Sequence, residues 1–212
     1  YNPDLKNLNN LVSSVVNQSS KALIVDNSKL HFLLKVNNCE IIRLGENKGI
    51  SYAQNKGIEI AKKNGANFFV FFDQDSQISV NFFNNIFRNY NSNDLSVRSP
   101  LIVDKDSKNI MPAVRLNKLG LTNKFVPSLE NNQLTDIIIS SGTALNLKTL
   151  NLIGIMDENL FIDFVDTEWS LRCKKENVPI YIIPNAILNH SIGNKNFKFL
   201  NMTFFVHGSK RI

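Results

Sequence analysis

Two carboxylates separated by one residue follow a short apolar run. The run is Phe68–Phe72, and Asp73 and Asp75 come directly after it. Five apolar residues without helical periodicity are typical of a strand buried on both faces, as in a parallel sheet. Ligands of open parallel sheets bind beyond the carboxyl ends of the strands. Alternation along an extended tip would point both carboxylates to one side and Gln74 to the other.

Two chemical interpretations of this pair are open. Like charges this close repel unless a cation lies near them, and hard oxygen ligands suit Mg²⁺ or Mn²⁺. Alternatively, the pair belongs to a solvated acidic turn in which Asp75 or Ser76 caps the next helix. The pattern Asp-x-Asp is short and does not decide between the two.

Further acidic residues could reach the same edge of the sheet. Asp26 ends another apolar run, and Asp166 begins a helix predicted over residues 166–177. Asp166 is either an N-cap, worth ~1 kcal/mol, or a general base for a hydroxyl group, worth ~10² to 10⁴ in rate. Glu168 could simply pair with Arg172 one helical turn later.

The elements that would position these groups alternate between strand and helix in the first hundred residues. Periodicity predicts helices over 4–18, 51–64, 80–90, 147–153 and 166–177, and strands over 22–26, 40–44, 68–72, 96–103, 136–140, 180–183 and 186–188. The alternation indicates an α/β fold with a mostly parallel sheet. Residues 104–135 lack a clear pattern, which is typical of a functional lid or an insertion.

Composition restricts the class of protein. The chain has 212 residues, 43% of them hydrophobic and 20% charged, as expected for one globular domain. A net charge of +6 favours anionic partners such as nucleotide phosphates or an anionic membrane surface. Nucleic acid is the weakest candidate because no basic block with interleaved aromatic residues is present. Two cysteines do not form a disulfide framework.

Six motifs, in order and spacing, resemble the family 2 inverting glycosyltransferases, and most of all their bacterial rhamnosyltransferase-like branch. They are Tyr1-Asn2-Pro3, Val25-Asp26-Asn27, Glu46-Asn47-Lys48-Gly49 with Ala53-Gln54-Asn55-Lys56-Gly57, Phe72-Asp73-Gln74-Asp75, Ser141-Gly142, and Phe161–Trp169 with Leu171-Arg172. The resemblance implies a single GT-A domain with a nucleotide-sugar-binding half over about 1–103 and an acceptor-binding half over about 104–212.

The resemblance also implies roles for individual residues. Asp26 would face the pyrimidine base, and Asp75 would ligate the metal that bridges the diphosphate. Asp166 matches the general base, although Val165 replaces the glutamate that commonly precedes it. The full implied site comprises a donor side of Tyr1, Asp26, Asn47, Asn55, Asp73 and Asp75; a metal group of Asp73, Asp75 and His190; and a sugar and acceptor side of Ser141, Gly142, Glu168 and Trp169. For His190, an ordinary surface histidine is the alternative.

The implied function is inverting transfer of a sugar, with rhamnose a candidate, from a dTDP- or UDP-linked donor. The expected acceptor is a lipid-linked bacterial surface saccharide, and the expected place is the cytoplasm or the inner face of the plasma membrane. A nucleotidyltransferase is disfavoured because no Gly-rich phosphate loop is seen near the N-terminus. A non-catalytic module is disfavoured by the intact set Asp26, Asp73, Asp75 and Asp166.

The sequence departs from the family at both ends. In the family a hydrophobic strand precedes Tyr-Asn-Pro and lies centrally in the sheet, and the chain continues beyond Lys210-Arg211. The resemblance therefore implies a trimmed chain in which two strand edges are exposed. The tail 195–200 with Phe204 and Phe205 is compatible with contact to anionic lipid or with ordinary core packing.

Overall fold

The computed structural model describes residues 1–19, 21–30, 32–34 and 36–190, and the backbone of two strands at 196–199 and 202–205. The helices are α1 (Leu5–Val16), α2 (Ile50–Lys63), α3 (Phe82–Ile86), α4 (Leu147–Ile153) and α5 (Val165–Lys175). The strands are β1 (Ala22–Asp26), β2 (Cys39–Arg43), β3 (Phe68–Val70), β4 (Gln77–Ile78), β5 (Val97–Asp104), β6 (Ala113–Leu116), β7 (Thr122–Phe125), β8 (Gln133–Thr135), β9 (Ala144–Asn146), β10 (Ile180–His190), β11 (Asn196–Phe199) and β12 (Met202–Phe205).

The central sheet has six strands in the order β3-β9-β5-β10-β4, with β8 also paired to β10. Only β5 and β10 are parallel, whereas β9 is antiparallel to both its neighbours, and β4 and β8 are antiparallel to β10. The α/β class is confirmed, but the prediction of a mostly parallel sheet is wrong. The β-α-β alternation covers only the first part of the chain. The strands β8 and β9 come later in the sequence, after the segment that begins at residue 104, and both add to the sheet in antiparallel orientation.

Three local predictions are corrected. The strand predicted over 136–140 lies instead at β8, and the helix predicted over 80–90 is limited to α3. The two strands predicted over 180–188 form one strand, β10, whose register against β5 shifts between Ile183 and Ile187. Pro184 lies in this interval and has no amide hydrogen for the ladder, which explains the break in the hydrophobic pattern. The excursion 104–135 contains the β6–β7 hairpin.

Two apolar clusters stabilise the elements that carry the polar edge. The first contains Trp169 and Cys173 of α5 together with Leu145 of β9. The second packs Phe82 of α3 against Leu188 of β10, and both side chains are fully buried. Burial of a large apolar side chain contributes about 1.5–3 kcal/mol. The two clusters therefore fix the positions of α5, which carries Asp166, and of β10, which carries His190.

A cavity of about 1650 Å³ is lined by α1, β1, α2 and β3. Among the described strands, β1 pairs only with β2, in parallel, and β3 is the end strand of the central sheet. Two strand edges therefore face one cavity. None of the helices in the described ranges has the length and hydropathy needed to cross a bilayer.

Candidate active site

Asp73 and Asp75 lie on a tight turn that follows β3. The backbone amide of Ser76 donates to the carbonyl of Asp73 at 3.1 Å. The predicted extended tip is therefore wrong, because β3 ends at Val70 and only one bridge, from Phe71, continues its pairing. The turn, rather than strand alternation, brings the two carboxylates to the same side.

Ser141 and Gly142 hold this turn from behind. The Ser141 hydroxyl accepts from the amide of Asp73 at 3.1 Å and lies 2.6 Å from the Ser76 hydroxyl. Gly142 has a φ of +77°, and a Cβ there would lie 2.6 Å from the ring of Pro100. Neither residue lines the cavity. Their contacts indicate a positioning role behind the turn instead of the predicted direct contact with the sugar.

His190, the last residue of β10, completes a three-residue group with the two aspartates. Its Nε2 lies 3.9 Å from Asp73 Oδ2, and its Nδ1 lies 3.9 Å from Asp75 Oδ1. One ligand atom from each residue falls within 4.8 Å of the others. This spacing fits one divalent cation at about 2.0–2.4 Å from each ligand atom, and two carboxylates with one imidazole suit Mn²⁺ or Mg²⁺.

Lys105 adds a cation beside this acidic group. Its amino group donates to the backbone carbonyl of Asp75, and its amide donates to the carbonyl of His190 at 3.1 Å. Sequence reasoning missed Lys105 because residues 104–135 carry no clear pattern. A signal existed nevertheless, since Lys105 comes two residues after the strand predicted over 96–103 and so belongs to the same edge of the sheet.

Asp166 enters the cavity from the first turn of α5. The N-cap of this helix is Phe164, with a φ of 65°, so Asp166 is not the capping residue. Burial raises the pKa of the Asp166 carboxyl, opposed by hydrogen bonds from the backbone and hydroxyl of Ser140 and by the nearby His190. Asp166 Oδ1 is buried and has no hydrogen-bond partner in the described structure. A desolvated carboxylate of this kind is a stronger base than an exposed one.

Ser140 connects Asp166 to α2. Its hydroxyl accepts from the side-chain amide of Gln54 at 2.9 Å. Gln54 lines the cavity, as does Asp166. This polar chain fixes the orientation of the carboxylate, which a general base requires.

Asp26 and Asn47 lie at another part of the cavity wall. Asp26 is 3% exposed, and its Oδ1 accepts from the amide of Ser28 at 2.9 Å. Asn47 Oδ1 accepts from the side-chain amide of Asn27 at 3.0 Å. Tyr1 lies nearby in the cavity lining and accepts through its carbonyl from Gln74 at 3.4 Å, which ties this wall to the acidic turn.

Asn55 does not belong to the cavity lining. Its amide nitrogen donates to Met156 O at 2.9 Å and to Glu158 at 2.8 Å, and its amide oxygen accepts from Met156 N at 2.8 Å. Both polar atoms therefore hold the 156–158 loop against α2. The structure favours this structural role over the predicted contact with the donor.

Trp169 is a core residue. With Val165 and Cys173 it forms the buried i, i+4 stripe of α5, and it is 3% exposed. Its indole N–H donates to the carbonyl of Gly154 at 3.0 Å. The predicted position on the acceptor side does not match these contacts.

Glu168 pairs with Arg172 at 2.8 Å. The same guanidinium donates to the carbonyls of Ile153 and Ile155, so the pair fastens α5 to the end of α4. Glu168 is absent from the cavity lining. The simple ion pair considered from the sequence therefore describes Glu168 better than a position on the acceptor side.

One cavity nevertheless gathers most of the predicted site from distant parts of the sequence. Its polar lining includes Tyr1, Asp26, Asn47, Asp73, Gln74, Asp75, Asp166 and His190. Three residues that could hold a cation, a half-buried carboxylate and a polar wall therefore surround one cleft, which is compatible with the site implied by the resemblance to GT-A glycosyltransferases.

Comparison with known proteins agrees with this class. Residues 1–145 match the family described as Glycosyl transferase family 2. The chain therefore belongs to the family 2 glycosyltransferases, as its motifs predicted. It is 36% identical over 217 residues to the dTDP-rhamnosyl transferase RfbF of Shigella flexneri, covering 100% of this chain and 73% of the relative. The predicted resemblance to the rhamnosyltransferase-like branch is confirmed.

A solved structure confirms the GT-A fold. The crystal structure of GalNAc-T7 with UDP, GalNAc and Mn²⁺ superposes with a TM-score of 0.65 at 13% identity over 90% of this chain. This chain spans 41% of the length of that structure. At this identity the likeness concerns the fold alone.

Proposed function

We propose that this glycosyltransferase inverts the anomeric carbon as it moves a sugar, rhamnose by analogy with its Shigella relative, from a dTDP-linked donor to an acceptor hydroxyl. The observation that carries the proposal is that Asp166 lines the same cavity as Asp73, Asp75 and His190. A base and a site for the leaving group would thus lie in one cleft. An inverting displacement needs both, on opposite sides of one sugar.

The nucleoside end of the donor would lie against Asp26 and Asn47. A carboxylate can accept a hydrogen bond from the imide N–H of thymine or uracil. This contact does not separate dTDP from UDP, because both bases carry that group. The preference for dTDP therefore depends on the 36% identity to a dTDP-rhamnosyl transferase.

The leaving diphosphate would lie at the acidic turn. Asp73, Asp75 and His190 would hold Mg²⁺ or Mn²⁺, and the bound ion would neutralise charge that develops on the diphosphate. Lys105, which contacts the carbonyl of Asp75, supplies a second positive charge at this point. Together these groups make the diphosphate a better leaving group.

Asp166 would remove the proton from the acceptor hydroxyl as that oxygen attacks the anomeric carbon. The bond to the diphosphate oxygen breaks as the new glycosidic bond forms, so the configuration inverts and no covalent enzyme intermediate is needed. Burial raises the pKa of Asp166 and so increases its basicity, while Ser140 keeps it oriented. General-base assistance is worth about 10² to 10⁴ in rate.

The proposal also includes the acceptor and the two halves of the chain that would bind the donor and the acceptor. We assign the donor to the half over about 1–103 and the acceptor to the half over about 104–212. This assignment is supported by Asp26, Asn47, Asp73 and Asp75, which precede residue 103, and by Asp166, which follows it. Lys105 and His190 also follow residue 103 and would reach the diphosphate site from the acceptor half. The acceptor would be a lipid-linked saccharide at the inner face of the plasma membrane, which suits the net charge of +6.

The proposal is tested by release of nucleoside diphosphate from dTDP- and UDP-sugars, with Mn²⁺ or Mg²⁺ and with chelator. Release from dTDP-rhamnose that requires the metal is expected. The matched variants are Asp166→Asn and Asp163→Asn, because Asp163 is exposed, belongs to the same acidic segment and does not line the cavity. Equal transfer by both variants would remove Asp166 from the role of base.

A further inference from the structure

The β6–β7 hairpin presents leucines to solvent on an ordered turn. Asn117 Oδ1 accepts from the amides of Leu119 and Leu121, both at 2.9 Å, and Gly120 has a φ of +77°. Leu119 is 83% exposed and Leu121 is 63% exposed. Tight turns are normally polar, and folding gains little from apolar side chains that remain in water. The stability of this protein therefore does not explain these leucines.

The same hairpin is basic. Residues 113–125 contain Arg115, Lys118 and Lys124 and no acidic residue. Arg115 lies 3.4 Å from Asp136, whereas both lysines are exposed, one of them beside Leu119 at the turn. Exposed leucines flanked by lysines match the surface of an anionic bilayer, which offers apolar chains beneath phosphate headgroups.

The hairpin is firmly attached near the cleft. The amide of Leu116 donates to Asp136 Oδ2 at 2.7 Å, and the amide of Asp136 donates to the carbonyl of Val114 at 2.8 Å. Met111, just before β6, lines the cavity that holds Asp166. The base of the hairpin therefore adjoins the cavity, and its turn lies at the other end of the two strands.

We propose that the turn of this hairpin docks on anionic membrane, with Leu119 and Leu121 entering the headgroup region and Lys118 and Lys124 contacting lipid phosphates. This rests on the proposed function insofar as a lipid-linked acceptor gives the contact its purpose. It differs from the membrane contact that was one of two alternatives for residues 195–200, whose side chains lie outside the described structure.

The test is co-sedimentation of the protein with vesicles of phosphatidylglycerol and phosphatidylcholine, and with vesicles of phosphatidylcholine alone. Lys118→Gln with Lys124→Gln should weaken binding to the anionic vesicles by about fivefold for each charge. Leu119→Ser with Leu121→Ser should weaken it by about tenfold for each leucine. Leu33→Ser is the matched control, because Leu33 is likewise 83% exposed but lies elsewhere.

Binding that is retained by both double variants, or that is equal on neutral vesicles, would overturn the proposal. The proposal would also be overturned if the parent protein did not bind the anionic vesicles. It would be overturned as well if the parent self-associated without binding vesicles and the leucine double variant did not self-associate. Diphosphate release measured without membranes should be the same in parent and hairpin variants. If neither the parent nor the hairpin variants release diphosphate, this result would count against the proposed function. The vesicle assay would still decide whether the hairpin docks on membrane.

Discussion

Replacing Asp166 by asparagine should separate catalysis from donor binding. The change keeps the size of the side chain and removes its basicity. General-base assistance of about 10² to 10⁴ corresponds to about 3–5 kcal/mol of the barrier. We expect transfer to fall by this factor while the affinity for dTDP-rhamnose and metal stays within about twofold, because the proposed leaving-group site is formed by Asp73, Asp75 and His190 and not by Asp166.

The same substitution should change how stability depends on pH. Burial raises the pKa of Asp166 above its ordinary value. The folded protein therefore prefers the protonated carboxyl, and this contribution is present at acidic pH and is lost as the pH rises through the raised pKa. Asparagine does not titrate and so does not lose this contribution. The melting temperature of the variant minus that of the parent should therefore increase from about pH 4 towards neutral pH in metal-free buffer.

Three assays decide these predictions. Release of nucleoside diphosphate from dTDP-rhamnose in the presence of an acceptor measures transfer, isothermal titration with dTDP-rhamnose and Mn²⁺ measures donor binding, and thermal melts in chelator at several pH values measure the stability difference. Asp163→Asn, at an exposed carboxylate outside the cavity, serves as the control in all three. A transfer rate equal to that of the parent would refute the role as base. A stability difference that does not change with pH would refute the argument from a desolvated carboxylate.

Three further substitutions test other parts of the structure. Asp75→Asn should abolish the gain in dTDP affinity that Mn²⁺ gives and leave metal-free binding unchanged; an undiminished gain in titrations would exclude this ligand. Asn146→Ala should lower the free energy of unfolding by about 2–5 kcal/mol in urea melts, because the fully buried amide caps α4 and satisfies two carbonyls. Asn151 is exposed on the same helix, so Asn151→Ala is the control and should lower the free energy of unfolding only slightly. Equal losses of unfolding free energy in the two variants would contradict the argument. Gly142→Ala should destabilise the protein and weaken metal-dependent donor binding, whereas Gly65→Ala, also at positive φ but with open space around it, should only destabilise it, by about 1 kcal/mol.

The approximate ends of the strands before Asp26 and Asp73 were predictable from sequence because they depend on local information. The apolar run before Asp73 stops where polar residues begin, and the same is true of the run before Asp26. Strand direction is different, since it depends on which distant segments pair. The β9 strand lies antiparallel between β3 and β5, and nothing in Ala144–Asn146 alone encodes that choice.

The use of polar side chains was predictable only in part. Asn55 and Asn47 belong to neighbouring motifs and carry the same amide, yet one holds a loop and the other lines the cavity. Their difference arises from the position of residues 156–158, about a hundred residues further along the chain. Trp169 similarly follows the helical stripe of α5, which a motif comparison does not reveal. Lys105 reaches the acidic turn from a segment that has no motif at all.

The contacts of the loop 140–142 indicate a positioning role for the Ser141-Gly142 motif, where the sequence predicted contact with the sugar. Ser140 donates to Asp166, the hydroxyl of Ser141 accepts from the amide of Asp73, and the amide of Gly142 donates to the carbonyl of Phe71 at 2.6 Å. Three consecutive residues thus bind both the candidate base and the turn that would hold the leaving group. Because both groups hydrogen-bond to one short loop, this loop and the core packing of α5 together constrain their separation. A single displacement depends on that separation, so substitutions in this loop should impair transfer even though its serine and glycine need not touch the sugar.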